Sequence, residues 1–330
     1  MTDMPPGSRI VLRNTLREHE SPFDLAKDAR DGLTAVPRTL PSKYFYDARG
    51  SHLFEMITRL PEYYLTRAET EILQRESGRF VETSRPRVLV EFGSGAARKT
   101  RILLDAMRER GLLEGYGPVD VSVDASRRAA QALIRDYPDM VVEGVIGDFE
   151  RPRNLPFSGR PRLIAFLGST IGNLETVQAQ AFLEAVRAEM TGADAFLIGF
   201  DLVKEATVLE RAYNDAAGVT ARFNLNVLRV LNRELGASFD LEAFRHRAEW
   251  NAGRSRVEMH LESLREQRIL IPAIGLDVTV REGETIRTEL SHKYTRESAE
   301  MLLGSSGLAL ESWCTDEARR FALALARAPR

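Results

Sequence analysis

Glu91, Gly93 and Gly95 alternate within the stretch RVLVEFGSGAARKTRILLD, residues 87–105. An acid followed by two glycines at this spacing lets the backbone pass close to a bound molecule, because glycine has no Cβ and enters left-handed conformations freely. Beyond the turn, Ile102, Leu103, Leu104 and Met107 recur at helical spacing, so a helix N-terminus with free N–H groups faces the same place. The dinucleotide fingerprint G-x-G-x-x-G is not met: Arg98 stands where its third glycine belongs. The looser acid-x-Gly-x-Gly pattern suits S-adenosylmethionine (SAM), which has no pyrophosphate to cradle. Read alone, GSG is equally well a plain tight turn.

Other residues in the same half of the chain have matching chemistry. Asp120 follows Gly95 by about 25 positions, near where an acid takes ribose hydroxyls in such sheets; a strand-end turn aspartate is the alternative. Asp148 and Phe149, in the run GDFE, offer a carboxylate for an adenine amino group and a ring to cover its face, or else a turn with a core phenylalanine. Gly168 opens the loop GSTIGNL after an apolar run, at a strand end where these sheets place ligands. Tyr44, Phe45, Tyr46, Tyr63 and Tyr64 are dense for a chain with 8% aromatics. Such a cluster is more often core than site, yet buried hydroxyls need partners, so some should point into a polar cavity.

The elements that must position these residues alternate strand and helix. Val88–Val90 is a short apolar run of the kind buried on both faces of a parallel sheet. Strands are expected at 117–122, 140–146, 162–167 and 194–201, with helices at 126–137 and 177–190. This is an α/β rhythm with right-handed crossovers. Asp24 caps and Gly32 ends an expected helix over 23–33, and another covers 67–80. After Asp201 the rhythm breaks: 204–218 and 219–235 are helical, and strands follow at 256–263, 268–274, 277–280 and 286–293. A helix at 295–303 and a hairpin of 308–313 with 321–325 return to the sheet. Residues 1–14, with Pro5-Pro6-Gly7, read as a frayed lead-in.

Composition bounds the function. The 330 residues suffice for one large or two ordinary domains, and 43% apolar with 28% charged residues is ordinary for a soluble globular protein. A formal net charge of −2 argues against a nucleic-acid binder. One cysteine, Cys314, excludes an internal disulfide, and five histidines without ligand spacing give no metal site. No apolar run reaches membrane-spanning length and no signal peptide opens the chain, so a cytoplasmic, monomeric enzyme is expected.

With these segments laid out, the chain closely resembles the SAM-dependent histidine Nα-methyltransferases of ergothioneine biosynthesis. The matching stretches are KYFYDARGSHLFEMITRLPEYY, VEFGSGAARKT, PVDVS, GDFE, FLGSTIGNL, GFDLVK, AYNDAAGVTARFNLNVLRVLNREL, RVEMHL and TELSHKY, spread from Lys43 to Tyr294. The resemblance implies a class I SAM-methyltransferase, Rossmann-like sheet over residues 69–203 and 294–330. It also implies a second, α+β substrate lobe built from 15–68 and the insertion 204–293. It implies SAM as cofactor, held by Gly93, Lys99, Asp120, Asp148, Phe149 and Gly168, with Lys99 on the methionine carboxylate. Tyr63, Asn173 and Tyr213 would hold the carboxylate and amine of L-histidine, and Glu289 and Ser291 its imidazole. Met259 and Tyr46 would line the same pocket; with no histidine base among the matching residues, the amine proton is expected to leave to water or through a tyrosine such as Tyr46. The implied activity is trimethylation of histidine to hercynine.

Glu289 and Ser291 are two apart on an expected strand, so their side chains face the same way; without the resemblance, TELS reads as an exposed strand face. The rivals are the same fold acting on another amino acid or small amine, an NAD-dependent oxidoreductase, and a silent SAM-binding scaffold. Arg98 speaks against the second, and Glu289 and Met259 favour histidine over other amines.

Overall fold

The computed structural model describes residues 9–14, 24–93, 98–120, 123–147, 152 and 154–329. These residues divide into two compact units, and the chain passes between them at Thr66–Arg67, Leu202–Val203 and Lys293–Tyr294.

The first unit holds an eight-stranded sheet. Its spatial order is Ile10–Asn14, Val141–Ile146, Gly115–Asp120, Val88–Phe92, Arg162–Phe166, Ala195–Asp201, Phe321–Arg327 and Ala309–Thr315. The strands from Ile10–Asn14 through Ala195–Asp201 pair in parallel. Phe321–Arg327 runs antiparallel to both of its neighbours. Val88–Phe92, Arg162–Phe166 and Ala195–Asp201 are buried at every position, as expected where helices cover both faces. Phe92, Phe166 and Phe182 meet in the core with centroids 4.6–5.9 Å apart, the edge-on and tilted packing that aromatic quadrupoles favour.

From Val88–Phe92 the chain first steps to one side, to Gly115–Asp120, and later to the other, to Arg162–Phe166. That reversal is the topological switch point, and ligands bind at the carboxyl ends of the two strands flanking it. Gly93 directly follows the first of these strands, and Gly168 lies two residues past the second. With its one reversed strand beside the last, the sheet is of the class I methyltransferase type.

The expected frayed lead-in is not what residues 10–14 do: Ile10–Asn14 pairs in parallel with Val141–Ile146 and extends the sheet edge. Its apolar positions are only Ile10, Val11 and Leu12, too few to signal a strand against the Pro-Pro-Gly before them.

The second unit holds a four-stranded sheet in the order Arg38–Thr39, Thr285–His292, Arg256–Ser263, Phe244–Asn251 and a separate hairpin of Gln267–Ile271 with Leu276–Val280. Helices Leu25–Thr34, Ala48–Ile57, Ala206–Tyr213, Val219–Asn224 and Asn226–Leu235 belong to it. Asp24 caps the first by accepting from the Lys27 N–H at 2.9 Å. The helix expected over 219–235 is two helices joined at Leu225. The asparagines on either side of the joint are fully buried and bonded outside their own helices. Asn224 donates to the carbonyl of His260, and Asn226 to the carbonyl of Phe45 and the carboxylate of Asp47.

Candidate active site

Gly93 adopts φ +63°, and among the described residues an added Cβ there would meet nothing within 4 Å. Its N–H donates to the Val119 carbonyl at 3.0 Å. The remainder of the turn, residues 94–97, lies outside the described residues, as do Asp148 and Phe149. Lys99 stands in the helix Arg98–Glu109 and donates to Glu69 Oε2 at 2.6 Å. Glu69 is fully buried and its other oxygen accepts from the Gly168 N–H at 2.7 Å. Gly168 has φ +78°, and its missing Cβ would sit 3.5 Å from the Lys99 ammonium. Two of the expected cofactor residues, Lys99 and Gly168, thereby meet on Glu69, the member of the cluster that the sequence reading missed. A lysine ammonium has three donors, so one carboxylate partner leaves it able to meet a second, such as the carboxylate of an amino-acid moiety.

Glu91, the acid of the turn motif, points into the sheet. It is 3% exposed and accepts from Thr100 Oγ1 at 2.6 Å and from the Tyr116 hydroxyl at 2.9 Å. Burial pushes its carboxyl up to about 7, against the pull of those two donors. Its contacts tie strand, helix and neighbouring strand together beneath the turn. Asp120 ends the Gly115–Asp120 strand, half-buried, with its carbonyl accepting from the Gly147 N–H. Asn173 closes the short 3₁₀ turn Thr170–Asn173, half-buried, after Ser169 at φ +56°. The Ser169 hydroxyl fixes that loop by accepting from the Asp201 N–H at 2.8 Å. Gly93, the Lys99 cation beside Gly168, and Asp120 at the neighbouring strand end could hold SAM, with a cation for its carboxylate and an acid for its ribose.

In the second unit, Thr285–His292 runs antiparallel to Arg256–Ser263, with a register shift between Arg287 and Glu289. Arg287 opposes His260, but Glu289 opposes Met259 and Ser291 opposes Val257. Opposite residues in an antiparallel pair share a face. Glu289, Ser291, Met259 and Val257 therefore share one face, while Arg287 and His260 share the other. Straight alternation from Ile286, which opposes Leu261, would have put Glu289 on the Arg287 side. The bulge reverses that.

Around this face the expected tyrosines gather. The hydroxyls of Tyr213 and Ser291 lie 2.8 Å apart and share a hydrogen bond. Lys293, 3% exposed, donates to the Ser291 hydroxyl at 2.7 Å and the Tyr213 hydroxyl at 2.9 Å, and its ammonium lies 4.7 Å from the Tyr213 ring centroid. Lys293 continues the same alternate-residue series as Glu289 and Ser291, a spacing already present in the sequence. Burial pushes the Glu289 carboxyl up to about 7, and the Lys293 cation opposes that shift. Tyr63 packs edge-on to Tyr213 and to Phe54. Tyr46 packs edge-on to Phe54 and Phe223. Tyr46 is 43% exposed and interacts with Glu289 and Tyr213; surrounding protein and then the Glu289 charge raise its phenol above the ordinary value. Tyr44 and Tyr64, in contrast, are core: their hydroxyls pair with Asp28 and Lys204.

The structure thus brings together Tyr46, Tyr63, Tyr213, Met259, Glu289 and Ser291 in one unit, and Gly93, Lys99 and Gly168 in the other, with Asp120 and Asn173 at strand and loop ends of the latter. Among the described residues no group of three or more His, Cys, Asp and Glu could hold a metal, and no helix is long and apolar enough to cross a membrane.

A nucleotide-binding sheet with a glycine turn at its switch point and an interleaved α+β unit defines a SAM-dependent methyltransferase. Residues 25–328 match the family model described as histidine-specific, SAM-dependent methyltransferase, and the chain belongs to that family. It is 46% identical to the histidine N-alpha-methyltransferase of Mycolicibacterium smegmatis over 96% of this chain and 99% of that one. Against the histidine N-alpha-methyltransferase of Mycobacterium tuberculosis the figures are the same. It is 31% identical to ergothioneine biosynthesis protein 1 of Neurospora crassa, over 82% of this chain and 31% of that longer one.

Proposed function

We propose that this enzyme trimethylates the α-amine of L-histidine to hercynine, the first step of ergothioneine biosynthesis. The observation that carries the reading is the bulged strand that turns Glu289 and Ser291 onto the Met259 face, beside Tyr213. One imidazole N–H can donate to the Glu289 carboxylate, and the other ring nitrogen can meet the Ser291 hydroxyl. An apolar side chain in that place would leave the buried Glu289 carboxylate without a ligand donor, at a cost of about 1–3 kcal/mol.

Tyr63 and Tyr213 present hydroxyls suited to the carboxylate and amine of histidine. Lys99, Gly93, Gly168 and Asp120 would hold SAM, with Asp148 and Phe149 taking its adenine. When bound, SAM supplies an electrophilic methyl on a sulfonium, so acid or metal assistance is not needed. The protein's task is alignment: an amine and a methyl held about 3–3.5 Å apart and in line react far faster than free partners. The amine must lose a proton before each round. Tyr46 is protonated at neutral pH, since its phenol lies above the ordinary value; its part is to relay that proton to water, not to store it. The growing cation is accommodated by ring faces, which attract quaternary ammonium groups, and Tyr46, Tyr63, Phe54, Phe223 and Tyr213 supply them.

The enzyme acts on a free amino acid as a cytoplasmic monomer, without nucleic acid or membrane; the formal net charge of −2 supports the absence of a nucleic-acid partner. Incubating the protein with SAM and each amino acid in turn, read by mass spectrometry, tests the reading. Histidine should gain one, two and then three methyl groups. Preferential methylation of another amine, or no uptake of SAM and its demethylated product, would overturn it.

A further inference from the structure

The bulge that reverses Glu289 and Ser291 is held by groups outside any expected contact with substrate. Thr288, the residue at the register shift, is 1% exposed. Its hydroxyl donates to Asn224 Oδ1 at 2.6 Å, with the Met259 carbonyl as a second, longer acceptor at 3.1 Å. A hydroxyl carries one proton, so the shorter contact takes most of it. The assignment of the Asn224 amide is forced by its other partners: Nδ2 lies 3.1 Å from the His260 carbonyl, which only accepts, and 2.8 Å from His246 Nδ1. With Nδ1 accepting, His246 carries its proton on Nε2 and donates it to the Tyr213 carbonyl at 2.9 Å. Burial holds His246 below its ordinary value, in keeping with a neutral ring. Asn224 is fully buried, and its amide has a partner for every proton and for its oxygen.

The chain of bonds runs from the bulge, through Asn224 and His246, to the backbone of the residue that meets Ser291. It connects strands Thr285–His292, Arg256–Ser263 and Phe244–Asn251 with helices Ala206–Tyr213 and Val219–Asn224. We infer that Thr288 and Asn224 are positioning residues for histidine recognition: they lock the bulge that aims Glu289 and Ser291, and through His246 they set Tyr213 against the same face. The inference rests on the reading that Glu289 and Ser291 meet the imidazole.

The test uses Thr288→Val, which keeps shape and β-branching but removes the hydroxyl, and Thr288→Ser, which keeps the hydroxyl. Thr288→Val should raise KM for histidine by about 10-fold or more while leaving affinity for the demethylated cofactor unchanged. The loss follows from leaving the buried Asn224 oxygen without a donor. Its selectivity for histidine over phenylalanine, as a ratio of kcat/KM, should fall by a like factor, a change that lower stability alone would not produce. Thr288→Ser should keep both values within about twofold of the wild type. A Val variant that binds cofactor product and keeps wild-type histidine KM and selectivity overturns the inference. So does a Ser variant that loses selectivity, for then the methyl and not the hydroxyl matters. Where Val fails to fold, Thr288→Ala is held to the same criteria. A wild-type protein that does not methylate histidine at all would instead sink the proposed function.

Discussion

Glu289 is drawn two ways by its surroundings. Burial lifts its carboxyl to about 7 while Lys293 draws it down, so in the ligand-free protein at neutral pH the acid and its anion coexist. An imidazole N–H donor favours the anion, and binding should therefore complete the ionisation. Glu289→Gln keeps the shape and one carbonyl acceptor but removes the charge. It should lower kcat/KM for histidine by about 10- to 100-fold, since hydrogen bonds to a charged group contribute about 1.5–3 kcal/mol. Among the described residues, burial lifts two carboxyls to about 7, those of Glu91 and Glu289. Carbon-detected NMR of the glutamate carboxyls should show both in the wild type and only the Glu91 signal in the variant. Unchanged histidine kinetics in Glu289→Gln would remove this residue from recognition.

At the scale of elements, most strands and helices of the sheet are legible in the sequence because each is short, apolar and bounded by turn residues. Val88–Phe92 and Ala195–Asp201 need no more than that. Other elements lack so plain a signal. Phe244–Asn251 is not among the expected strands, although Phe244, His246, Ala248 and Trp250 alternate with charged residues; Arg245, Arg247 and Glu249 mask a strand with one polar face. Ala48–Ile57 is hidden between aromatics and prolines. The bulge at Thr288 cannot be read at all, because it depends on Asn224 and His246 from elements far apart in sequence. Glu69 escapes for the same reason: only folding brings it to Lys99 and Gly168. Its role gives a prediction. Gly168 sits at φ +78°, where a Cβ costs about 1–2 kcal/mol, and its N–H donates to Glu69. Gly168→Ala should lose that much stability in urea unfolding. It should also bind SAM more weakly in calorimetry, because relaxing the strain moves the N–H that holds Glu69 and, through it, Lys99. Wild-type affinity for SAM would show that the loop tolerates the change.

At the scale of the whole molecule, the chain enters and leaves each unit repeatedly, so each unit is assembled from distant segments, and titrating groups in both act on one stability curve. Carboxyls displaced upward, carboxyls displaced downward and two buried histidines shape it; burial holds His246 and His260 below 6.5, so their contribution is lost as pH falls through that range. Glu91, in the sheet unit, and Glu289, in the other, are lifted to about 7 from 4.5. Between those values the unfolded chain has already released protons that the folded chain keeps, so the contribution of these two groups falls as pH rises from about 4.5 to about 7. Asp47, Asp215 and Glu258 are displaced the other way. Burial would raise each of them, but it is outweighed: at Asp47 by the Gly50 N–H, Arg233 and Asn226, at Asp215 by Thr220 and Val219, and at Glu258 by Arg256. Their contribution is present above the ordinary carboxylate range and is lost as pH falls below it. The two histidines oppose the two raised glutamates, so the share of Glu91 and Glu289 is read as a difference from a variant that lacks them: about 3 kcal/mol of urea-unfolding stability between pH 5 and pH 7.5, an order-of-magnitude figure from two partly compensated shifts. Relative to the wild type, the double variant Glu91→Gln, Glu289→Gln, whose amide oxygen at position 91 still accepts from Thr100 and Tyr116, should gain that much stability between pH 5 and 7.5, while the loss below pH 4 remains. A double variant with the wild-type slope above pH 5 would mean that neither carboxyl keeps its proton in the folded protein at pH 6, and that the Glu289 anion stands ready before histidine arrives.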